Sequence, residues 1–140
     1  MRGAIALLLM GLAVPAAAQD AEQFSGRLSV LPVDFATYQG LSGSGDVQAA
    51  LSGRLLDITG SFEGLSSPAT MAHVHQAPPG RRGPVIFTIE ATDTRDGRLS
   101  GQVDLDGAQV EALRAGEFYV QIHTEDNPAG EIRGWLASVW

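Results

Sequence analysis

The chain has 140 residues, 16 acidic against 9 basic, for a formal net charge of −7, and it has no cysteine. Acidity of this degree disfavours the phosphate backbone of nucleic acid as a partner. The lack of cysteine excludes disulfides, thiolate metal sites and cysteine nucleophiles, so the fold must rest on packing and strand pairing, with or without help from a metal.

Taken from its start, the chain reads Met1-Arg2-Gly3, then an apolar run from Ala4 to Val14, then Pro15-Ala16-Ala17-Ala18-Gln19. One positive charge, a short apolar core and an A-x-A site form the pattern of a secretory signal peptide. Cleavage is predicted after Ala18, giving a leader over 1–18 and a domain over 19–140, in the periplasm or secreted. The run is shorter than the roughly 20 residues that span a bilayer, and no later stretch approaches that length, so no membrane span is expected after cleavage. Removing Arg2 takes the formal charge from −7 to −8.

Beyond the leader, short runs rich in β-branched and aromatic residues alternate with Gly, Pro, Ser and Asp clusters, and no repeat or linker divides them. The pattern predicts strands over Gln23–Leu31, Gly45–Leu51, Arg54–Glu63, Ala69–His75, Val85–Ala91, Arg98–Leu105, Glu117–Thr124 and Glu131–Ser138. One segment departs from it. From Asp106 to Gly116 an N-cap Asp, Gln109 three residues on and a closing Gly predict a short helix, with Val110 and Leu113 facing the sheet. The fold class expected is all-β, an antiparallel β-sandwich of Greek-key type with one short helix.

Strand alternation also orients the candidate ligands, since residues two apart share a face. In Ala72-His73-Val74-His75 the apolar pair takes the core, so His73 and His75 point outward together with Met71. Along Phe118 to His123, Phe118, Val120 and Ile122 face inward, leaving Tyr119, Gln121 and His123 outside. In the last strand Ile132, Gly134 and Leu136 suit the interior, with Glu131, Arg133 and Trp135 opposite. All three histidines of the chain therefore avoid the core.

Two imidazoles at i and i+2, joined by a third from a neighbouring strand, would make a three-nitrogen site suited to copper or zinc. The Met71 thioether would be an added soft ligand favouring copper. The plainer reading of His-x-His on an outward face is polar decoration. Beside the histidines, the loop Gln76 to Pro84 carries Arg81 and Arg82, which read either as solubilising charges or as a means of steering a small anion. Arg133 is expected to brace the last strand through hydrogen bonds to backbone carbonyls or to an acid, with Glu131 as a partner.

The motifs Ala72-His73-Val74-His75, Gly83-Pro84-Val85, Leu113-Arg114-Ala115-Gly116, Tyr119 to Thr124 and Asn127 to Gly134 together resemble the CHRD (chordin-type) domain, in order and spacing over about Phe24 to Ala137. The resemblance implies an exported protein, often a stand-alone bacterial one. It also allows a protein partner, since the animal namesake binds growth factors outside the cell, and it brings no established enzymatic activity. A fainter similarity is to copper-zinc superoxide dismutase. It implies that His73, His75 and His123 hold copper and that Arg133, after the Asn127-Pro128-Ala129-Gly130 turn, guides an anion as a catalytic residue. The chain departs from that pattern in having no fourth histidine to bridge two metals, no zinc-ligand set and no disulfide.

Two functions compete: an exported copper-binding protein with superoxide-related redox chemistry, and a non-catalytic protein-binding module without metal. A hydrolase has little support: Ser and Asp are plentiful, but no nucleophile elbow or other catalytic serine signature is present.

Overall fold

The computed structural model describes residues 20–140, and the predicted leader lies outside them. Nine strands follow in chain order: β1 (Glu22–Val30), β2 (Ser44–Ser52), β3 (Leu55–Glu63), β4 (Ala69–Gln76), β5 (Val85–Ala91), β6 (Gly97–Asp104), β7 (Phe118–Thr124), β8 (Ile132–Trp135) and β9 (Ala137–Ser138), with one helix, α1 (Gly107–Arg114), between β6 and β7. Among the described residues no helix is long and apolar enough to cross a membrane.

The strands pair in the order β2-β3-β6-β5-β4-β7-β8-β1, and β2 pairs in turn with β1. Every pairing is antiparallel. The sheet therefore closes into an eight-stranded barrel, which corrects the expected sandwich. Alternation is the same in both architectures, because one face of each strand is buried either way. Closure depends on β1 using both of its edges, and local pattern carries no trace of that. The Greek-key element is present, since β3 lies beside β6 while β4, β5 and β6 run as a meander.

An eight-stranded barrel is narrow enough for side chains to fill. Its interior holds Phe24, Leu28, Val47, Leu56, Ile58, Leu99, Val74, Val120 and Ile132, each at most 2% exposed. At the closing seam the chains approach so nearly that a Cβ on Gly134 would stand 2.1 Å from the Arg27 carbonyl oxygen, and one on Gly26 would stand 2.4 Å from that of Trp135. Glycine at both positions permits the contact.

Helix α1 forms as predicted. Asp106 accepts from the Gln109 amide and the Gln109 side chain accepts from the Asp106 amide, completing a capping box, while Val110, Ala112 and Leu113 are buried. The segment expected as one last strand is two. Leu136 interrupts it, fully buried, with its amide on the Phe118 carbonyl, and β9 resumes pairing with β1.

Glu131, expected on the outward face, is 0% exposed. Its carboxylate accepts from the Ser42 and Ser66 amides and from the Ser66 and Thr124 hydroxyls. Burial alone would raise its pKa, but these donors favour the charged form and hold the carboxyl below its usual value.

Candidate metal centre

Strand β7 is buried at every position, so both of its faces are covered. Its inward set lies in the core, and two loops roof its outward set. On that outer face the registers place His75, Tyr119 and Trp135 in one row and His73, Gln121 and Arg133 in the next, with Met71 opposite His123.

The three histidines meet there, one ring nitrogen from each lying within 4.8 Å of the others. The rings of His73 and His123 are 4.7 Å apart between centroids, and those of His73 and His75 are 5.9 Å apart. The expected convergence is present, but the expected exposure is not: His75 and His123 are each 8% exposed.

The roof also sets the tautomers. The loop after β4 brings the Gly83 carbonyl 3.0 Å from His75 Nδ1, and the loop after β7 brings the Pro128 carbonyl 2.9 Å from His123 Nδ1. A carbonyl only accepts, so each Nδ1 carries the proton and donates, and each Nε2 of the neutral ring is left with its lone pair. His75 Nε2, His123 Nε2 and His73 Nδ1 are buried nitrogens without a partner among the described residues. Buried polar atoms are rarely left so, and three of them converging is what a cation site requires. With metal–nitrogen bonds of about 2 Å, two ligands of one ion stand at most about 4 Å apart. The three rings fit an ion after a closure of roughly 1 Å on that same bond length.

Burial disfavours the imidazolium of His73, with the neighbouring His123 and His75 adding to the effect, and its pKa is lowered. For His75, burial again lowers the value, the Gly83 carbonyl opposes, and the charges of His123 and Arg133 lower it further. Both shifts favour the neutral, ligating form. They also fix a sign for stability. The unfolded chain takes up protons before the fold does, so the metal-free protein should lose stability as pH falls below about 6.5 and be flat just above it. Urea midpoints between pH 5 and 7.5 measure this, and a midpoint that does not change across the window would contradict it.

Sequence reasoning, under the metal-free alternative, expects the histidines to hydrogen-bond the Asn127 to Gly130 loop, as His123 does at Pro128; it did not find the Gly83 carbonyl, nor the stacking of Tyr119 on His75 at 4.6 Å and 6° between planes. Only the register opposing His75 and Tyr119 could have signalled the stack. The Tyr119 hydroxyl accepts from the Gly83 amide, holding the roof to the strand. Met71 is 43% exposed at its register position.

Arg133 differs from expectation. Instead of bracing carbonyls or pairing with Glu131, its guanidinium lies 5.8 Å from the Tyr119 ring centroid and 5.4 Å from that of Trp135. Glu131 is turned away into its own set of donors. Arg133 lines a cleft of about 200 Å³ with Arg82, His75, Tyr119 and Gln121.

The family model of the CHRD domain matches residues 25–136. No curated protein and no solved structure matches the chain.

Proposed function

The chain belongs to the CHRD domain family, and we propose that it is an exported copper-binding protein whose ion is held by His73, His75 and His123. The observation that carries the reading is the convergence of three buried, unpartnered imidazole nitrogens, two of them fixed as acceptors by carbonyls on the far side of their rings. Three neutral nitrogens suit copper or zinc. Copper is favoured by its place at the top of the affinity order for divalent ions and by the Met71 thioether opposite His123.

Copper bound there would supply one-electron redox chemistry, and superoxide is the substrate class we propose for it. The chain's own part is to favour the neutral form of His73 and His75, to orient His75 and His123 through Gly83 and Pro128, and to place the positive charge of Arg133 beside His75, where it draws an anion. Export rests on the leader pattern of residues 1–18.

Elemental analysis of the protein recovered from the export compartment tests the assignment. About one copper per chain is expected for a single three-histidine site. Copper absent even after loading would overturn the reading and leave a metal-free protein-binding module.

A further inference from the structure

We propose that the cleft between Arg82 and Arg133 is a binding site for a small anion, either a carboxylate or an inorganic oxyanion. The cleft is complete without a metal, so the proposal goes beyond the copper reading and does not depend on it.

The argument starts from where the cations go. In a chain with a net charge of −7, two arginines have acidic company among the described residues. Arg54 pairs with Asp104, and Arg114 pairs with Glu22 and Glu111, while Arg95 donates to the Leu65 carbonyl. The remaining arginines, Arg27, Arg81, Arg82, Arg95, Arg98 and Arg133, have no carboxylate partner among the described residues, and of these Arg82 and Arg133 line the same cleft of about 200 Å³. No acidic side chain lines it with them. On its other flank Arg133 also borders a second cleft, lined in part by Arg27. Three arginines thus gather around β8 in a protein that is otherwise acidic.

The company of Arg133 matters. The faces of Tyr119 and Trp135 fix its guanidinium but take none of its N–H groups, since a π face attracts the charge and leaves the in-plane donors free. Tyr119 is itself held, 2% exposed and stacked on His75, so the fork is presented by a rigid platform. Gln121, at the floor, has its amide nitrogen committed to the Ala129 carbonyl. The free hydrogen-bonding capacity of the arginine pair is therefore donor only, and a planar guanidinium matches carboxylate and oxyanion geometry. Arg82 sits on the exposed loop before β5 and supplies the second arm.

The test titrates the purified metal-free protein with sodium phosphate and, separately, with sodium acetate at constant ionic strength. It follows the backbone amides of Gly83 and Gln121 and the Arg133 side-chain N–H by NMR. Saturable shifts are expected with at least one of the two anions, and the tighter one assigns the class. Affinity should fall by about tenfold in Arg82→Gln and in Arg133→Gln, while Arg81→Gln serves as a control that leaves it within about twofold. Arg82→Gln changes only an exposed side chain, so a loss of binding there is not a loss of fold. Shifts that never saturate with either anion, or that persist undiminished in both variants, would overturn the proposal. Because no metal is present, neither outcome bears on copper.

Discussion

Glu131→Ala should lower the unfolding free energy by about 2–4 kcal/mol, because it removes the one acceptor shared by two amides and two hydroxyls. The Ser42 and Ser66 amides, on an exposed and a half-buried residue, can turn in part to water, but the Thr124 hydroxyl is on a fully buried residue, and a buried donor left unpaired costs about 1–3 kcal/mol. Glu131→Gln keeps the shape and one acceptor oxygen and should cost roughly half as much on the same reckoning. The carboxyl is held below its usual value in the fold, so its contribution is present above the carboxylate range and is lost as pH falls below about 4.5. Urea unfolding of the two variants at neutral pH and near pH 4 measures both effects. Equal losses under about 0.5 kcal/mol in both variants, the range of ordinary surface changes, would show that the carboxylate does not tie these loops.

Saturating copper should raise the melting temperature, and the rise should be much smaller in His75→Ala and His123→Ala. An ion that binds only the fold, at a free concentration 100 times its dissociation constant, stabilises by about 2.7 kcal/mol. In a chain without cysteine, no cross-link adds to or masks the shift. Affinity should weaken steeply from about pH 7 to about pH 5, with more than one proton taken up per ion released, because each imidazole must be neutral to ligate. Scanning calorimetry with and without copper at the two pH values is the check. A melting temperature unchanged by copper in the wild type would contradict the site.

What the sequence made legible follows from period and spacing. His73, His75 and His123 could be turned away from the core because Ala72, Val74, Val120 and Ile122 demanded it, and all four are fully buried. The α1 cap was readable because Asp106 and Gln109 act over three residues. Features made by distant segments were not readable. Barrel closure needs β1 to meet both β2 and β8, and alternation within a strand is blind to its neighbours. One donor to the Glu131 carboxylate is the amide of Ser42, 89 residues away in the chain. The histidines were placed on an open surface for a different reason: alternation within a strand does not say how the loop that follows folds back, and Gly83 and Pro128 arrive from such loops to cover them.

X-ray absorption at the copper edge of the loaded protein tests the central claim most directly. The account predicts three imidazole nitrogens at about 2.0 Å, with the characteristic outer-ring scattering, falling to two in His123→Ala. A first shell of oxygen without imidazole scattering, or a spectrum that His123→Ala leaves unchanged, would contradict it.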